Sequence, residues 1–193
     1  MEEACITCPN CGRIIAKSDV CRECSLEEWK EKRNMKILFL DIDDVLCTQR
    51  YNIVSKNVWR EFDPIAVKIV YKICKDTGCR IVLSSSWGQY NHTLNQFYDE
   101  INSICPELKE YYFTEDFIPE RKNTRYETIR AWLNNHKEVT HYCILDDHSS
   151  WTGPKDDINL VLVDDLDGVG YVEYVACVDI LSDIDVIKRG KYD

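Results

Sequence analysis

The sequence predicts an α/β fold, a parallel sheet sandwiched by helices, behind a small N-terminal segment stapled by metal. Three observations predict it. From Lys36 onward, short apolar runs alternate with amphipathic stretches, which is how parallel strands joined by helical crossovers read in sequence. Three of those runs end in a polar residue, Asp41, Ser84 and Asp146, at the carboxyl edge where open α/β sheets bind ligands. The first 27 residues are rich in Cys and poor in large aliphatics, so they cannot build a core unaided.

Within that first segment, Cys8-Pro-Asn-Cys11 and Cys21-Arg-Glu-Cys24 are two C-x-x-C pairs separated by nine residues. Four thiolates at this spacing suit a closed, structural, tetrahedral Zn²⁺ site. The segment resembles a zinc ribbon, whose partner would be protein or nucleic acid. Cys5 stands at ligand spacing before Cys8 and could replace one of the four. Ser25 and Glu28 form a capping-box pattern that opens a charged helix. The expected organisation is a knot over 1–27, a helical linker over 28–35 and a main domain over 36–193.

The main domain opens with the strand Ile37-Leu38-Phe39-Leu40, delivering Asp41. Asp63-Pro64 is an N-cap followed by proline at the first helical position, and Ile65, Ile69, Val70 and Ile73 continue at helical spacing until Gly78 stops the helix. Arg80-Ile-Val-Leu83 is a second strand, delivering Ser84. Leu94, Phe97, Tyr98 and Ile101 mark another helix. Thr124 with Glu127 caps a third, which carries Ile129, Trp132 and Leu133. His141 to Leu145 is a strand delivering Asp146 and Asp147, Asn159 to Val163 is a fourth, and Gly168 to Asp183 reads as a loop leading into a last helix.

Composition narrows the function. A formal charge of −10 argues against coating duplex nucleic acid, which needs a basic surface. Local basic clusters remain at Arg121, Lys122, Arg125 and Arg130, and at Lys188, Arg189 and Lys191. No apolar run approaches the roughly 20 residues of a membrane helix, and the eleven cysteines, an odd number, point to a reducing, cytoplasmic setting. Cys74, Cys79 and Cys143 sit in apolar runs as small buried hydrophobes.

Asp41-Ile-Asp43-Asp44-Val-Leu46 after a buried strand, Ser84-Ser-Ser-Trp87 after the second, a cation before or at the start of the Thr124 helix, and Leu145-Asp146-Asp147 occur in one order along residues 36–165. Together they resemble the motifs of the haloacid-dehalogenase-like (HAD) phosphatases, and more narrowly the phosphatase-like domain of multidomain RNA-repair proteins. The resemblance implies a Rossmann-like sheet, Asp41 as a nucleophile forming an aspartyl-phosphate, and Asp43 as the acid and base. Ser84, with Ser85 as fallback, would hold phosphoryl oxygens. Arg125, in competition with Lys122, would neutralise the transferring group. Asp41, the Asp43 carbonyl, Asp146 and Asp147 would hold Mg²⁺. The superfamily usually has Gly at the position of Asp44, so a left-handed turn is expected there, which Asp tolerates better than most residues. The narrower family often has Arg where Gly88 stands and Gly-Leu-Thr where this chain reads Gly168-Val-Gly170.

The stretches from Leu46 to Asp63 and from Trp87 to Thr124 leave too little for a cap domain, and capless relatives act on large substrates. The expected substrate is a terminal phosphate on a polynucleotide end, with Arg50, Tyr51, Trp59 and Arg60 as a binding rim. A mononucleotide phosphatase and a silent binding module recruited through the zinc knot are the other readings. His92 and His148 are expected to be surface residues.

Overall fold

The computed structural model describes residues 5–7, 14–16, 35–55, 61–118, 122–147 and 151–182. Cys8, Cys11, Cys21, Cys24, the Ser25–Glu28 capping pattern, Trp59, Arg60, Arg121, His148 and the C-terminal basic cluster lie outside these residues. In the N-terminal segment, β1 (Cys5–Thr7) and β2 (Ile14–Ala16) pair antiparallel, with Ile6 opposite Ile15.

The main domain is a five-stranded sheet of β3 (Met35–Leu40), β4 (Arg80–Leu83), β5 (Tyr112–Phe117), β6 (Val139–Asp147) and β7 (Leu160–Val163). Its spatial order is β5-β4-β3-β6-β7, and every pairing is parallel. The chain steps outward from β3 to β5, then crosses back to place β6 on the other side of β3. That reversal sets a topological switch point at the carboxyl ends of β3 and β6, the place where doubly wound sheets take ligands.

Helices α1 (Gln49–Ser55), α2 (Pro64–Thr77), α3 (Asn91–Ile104), α4 (Arg125–Asn135) and α5 (Tyr171–Leu181) complete the domain. Alternation along β3 splits its side chains between two cores. Leu38 and Leu40 join Val67, Val70 and Ile73 of α2, Phe97 and Ile101 of α3, and Cys177 and Leu181 of α5. Ile37 and Phe39 face the other way, against Ile129 and Trp132 of α4. Phe39 meets the Trp132 ring edge-on at 5.4 Å. Such double-sided burial explains why β3 is an unbroken apolar run.

The expected helix stops are present. The Asp63 carboxylate accepts the Ile65 N–H at 2.8 Å, and Gly78 ends α2 at φ 71° with its N–H on the Cys74 carbonyl. Thr124 accepts the Glu127 N–H at 3.1 Å, which fixes the first residue of α4 as Arg125.

Three elements differ from the sequence reading. β5 is a fifth strand in the stretch expected to be helix and loop, and α1 is a short helix with no buried residue. The last helix starts directly after Gly170, whose N–H donates to the Glu173 carboxylate at 2.8 Å, where a longer loop was expected. Neither segment that could have carried a cap does so among the described residues. Cys74, Cys79 and Cys143 are fully buried, as expected, in two thiol contacts: Cys74 with Cys79 at 3.8 Å and Cys143 with Cys177 at 3.6 Å. Burial pushes the Cys74 and Cys143 thiols well above the ordinary range.

Candidate active site

Strand register builds the site. Leu40 pairs with Leu83 on one side and Leu145 on the other, so the next residues, Asp41, Ser84 and Asp146, form one row across three strands. Backbone bonds pin that row: the Asp41 N–H donates to the Leu145 carbonyl and the Ser84 N–H to the Leu40 carbonyl, both at 3.0 Å. Because β6 runs on through Asp147, a second carboxylate joins the first. Asp41, Asp146 and Asp147 are all buried and bring carboxylate oxygens within 4.8 Å of one another.

Three carboxylates so close need a cation, and α4 supplies it from the opposite layer. Arg125, set at the helix start by the Thr124 cap, places Nη1 2.6 Å from Asp41 Oδ2 and 2.6 Å from Asp146 Oδ2. Its side chain is 13% exposed, against 2% and 0% for the two acids, so these contacts are little screened. Burial works against the Arg125 charge, but Asp41 and Asp146 outweigh it and push the guanidinium pKa further up. For Asp41, burial raises the pKa, and the opposing pull of Arg125, the Ile42 backbone and the Ser85 hydroxyl does not cancel the rise. A carboxylate held this way is poorly solvated.

Asp43 lies apart from the carboxylate cluster. Its two oxygens each accept from the indole Nε1 of Trp87 at 3.3 Å. The turn after it needs the unusual backbone that the sequence suggested: Asp44 has φ 58°, alone in that region among the described non-glycine residues. Burial raises the Asp44 pKa, and the Asp147, Asp165 and Asp43 charges add to this against a bond from Gln49.

Ser84 and Ser85 are both buried beside Asp41, Ser84 through the strand row and Ser85 through its hydroxyl. Lys122 is exposed, and its backbone N–H caps onto the Thr128 hydroxyl at 3.0 Å. Arg125, by contrast, is largely buried against Asp41 and Asp146. Arg50 lies on α1, ion-paired with Asp167, with its own N–H on the Leu166 carbonyl at 3.0 Å. Tyr51 is half-buried, and His92 is exposed beside the Tyr90 ring. Sequence reasoning missed the Trp87–Asp43 and Ser85–Asp41 bonds. The available signal was the position of Trp87, three residues past Ser84 on the same strand exit.

A family model described as the HAD domain in Swiss Army Knife RNA repair proteins matches residues 37–170. No curated protein and no solved structure matches the chain.

Proposed function

The chain belongs to that HAD domain family of RNA-repair proteins, and from this membership we propose that it is a phosphohydrolase that removes a terminal phosphate from an RNA end. The observation that carries the reading is the row of Asp41, Ser84 and Asp146 with Arg125 bridging its two acids at 2.6 Å. Asp41 attacks phosphorus and forms an aspartyl-phosphate, which water then hydrolyses. The Ser84 and Ser85 hydroxyls hold phosphoryl oxygens, and Arg125 offsets the charge that gathers there. Asp43, one residue past the attacking acid's neighbour, gives a proton to the leaving oxygen and later takes one from water.

Asp41, Asp146 and Asp147 offer an all-oxygen donor set that fits Mg²⁺. When bound, the ion would supply positive charge between these acids and the anionic phosphate. In the N-terminal segment, Cys8, Cys11, Cys21 and Cys24 would hold structural Zn²⁺, on the strength of their spacing. A polynucleotide end is favoured because α1 and the α3–β5 stretch leave no cap among the described residues, so a large substrate can approach.

The test is release of inorganic phosphate, with Mg²⁺ present, from 3′- and 5′-phosphorylated oligoribonucleotides, mononucleotides and p-nitrophenyl phosphate. Turnover of an oligonucleotide by the native protein and its loss in Asp41→Asn are expected. No release from any substrate, or an equally active Asp41→Asn, would overturn the proposal, and turnover of mononucleotides alone would make the protein a nucleotidase.

A further inference from the structure

We propose that Trp87 is a positioning residue for Asp43, its indole N–H holding the carboxyl that moves the proton. The inference rests on the phosphohydrolase reading and deepens it. Asp43 sits half-buried in the loop after β3. Trp87 is 6% exposed and held on several sides. Its ring packs on Phe62 at 5.6 Å, and Phe62 on Phe97 at 5.9 Å. Its carbonyl accepts the Thr93 hydroxyl at 2.6 Å, and its backbone N–H reaches Ser85 Oγ at 3.4 Å. A fixed donor thus meets a loop carboxyl, with Nε1 at 3.3 Å from both oxygens.

The chemical type of the donor matters. An indole N–H donates and cannot accept, so it orients Asp43 without competing for the acid proton. With Asp43 neutral, its O–H cannot be spent on the indole and is left for the substrate. In the first half-reaction the Asp41 oxygen–phosphorus bond forms, the phosphorus–leaving-oxygen bond breaks, and the Asp43 proton goes to that oxygen. In the second, water oxygen bonds to phosphorus, its proton goes to Asp43, and the Asp41–phosphorus bond breaks. Misalignment of Asp43 therefore costs most where the leaving group is too basic to depart as an anion.

That predicts a signature which general damage to the fold would not produce. Native protein, Trp87→Phe and a variant with benzothienylalanine at position 87, which keeps the ring shape but has sulfur in place of N–H, are assayed on aryl and alkyl phosphates of increasing leaving-group basicity. Both variants should lose about 10- to 100-fold in kcat/KM on alkyl phosphates, a fraction of what general acid catalysis supplies, and far less on p-nitrophenyl phosphate. The indole N–H resonance of Trp87 in the metal-free protein should also shift in Asp43→Ala. An equal loss on all substrates, no loss on any, or a loss confined to Trp87→Phe would overturn the inference, the last by assigning the effect to packing. If Trp87→Phe does not fold, the sulfur isostere still decides. A native protein that releases no phosphate sinks the phosphohydrolase reading and this inference with it, whereas an active one with unchanged leaving-group dependence in both variants sinks this inference alone.

Discussion

At the scale of single residues, Asp44 and Arg125 show how local geometry and charge are apportioned. Asp44 occupies a left-handed turn at φ 58°, where a β-branched side chain is strained by about 1–3 kcal/mol. Asp44→Val should lower unfolding free energy by about 2 kcal/mol in urea titration, while Asp44→Gly should stay within about 1 kcal/mol of the native chain, relief of strain offsetting the added freedom of the unfolded state. Arg125 touches both row acids, whereas Lys122 is exposed ahead of α4. Arg125→Ala should therefore lower kcat/KM by about 100-fold or more, the usual cost of removing a preorganised charge partner, and Lys122→Ala by much less. Steady-state kinetics on one substrate decide the order.

At the scale of elements, two loops brace each other over the site. The Gly168 backbone is left-handed at φ 66°, and an added Cβ would fall 2.3 Å from Thr48 Cγ2 and 2.7 Å from the Val45 carbonyl. The Val169 N–H donates to the same carbonyl at 3.2 Å. Gly168→Ala should cost about 2 kcal/mol or more, read by denaturant unfolding, and should lower activity with it because the Asp43–Asp44 turn loses its support. Helices α2 and α5 are tied at Asp76, which accepts from Lys72 at 2.7 Å and from the Tyr174 hydroxyl at 2.6 Å. Those two bonds, Lys72 first, hold the Asp76 carboxyl below its ordinary 3.8. A carboxyl depressed in the fold contributes stability above its unfolded pKa and loses it as pH falls through the folded value. Asp76→Asn should thus lower Tm at pH 7 by a small amount, as befits an exposed pair, with the difference closing below the carboxylate range. Periodicity and caps made β3, β4, β6, β7, α2 and α4 legible, because each pairs an apolar pattern with a stop signal. β5 was not legible: Tyr112-Phe-Thr-Glu-Asp-Phe117 carries charges and pairs on one side only, with β4, across a register shift. α1 has no apolar face to read, since it buries nothing. The motif acids and serines were legible as strand-end residues, but the grip of Trp87 on Asp43 joins positions 44 residues apart and exists only once β4 lies beside β3.

At the scale of the whole molecule, three buried carboxylates, two of them held by one arginine, leave the metal-free fold with charge that a divalent cation would relieve. Mg²⁺ should raise Tm in a concentration-dependent way, by the equivalent of about 2.7 kcal/mol at a hundredfold excess over Kd, and Asp146→Asn should abolish the shift in a thermal melt. The N-terminal segment is expected to carry its own metal. Elemental analysis of the purified chain should find one Zn²⁺ per chain, falling to none when Cys8 and Cys21 are replaced by Ser. The strand-end row has a kinetic corollary. The amides of Asp41 and Ser84 are themselves rungs of the central ladder, so their hydrogens should exchange with deuterium only on global opening. Loops around the cleft can then breathe on fast timescales while the strand-end residues keep their mutual spacing until the entire sheet comes apart.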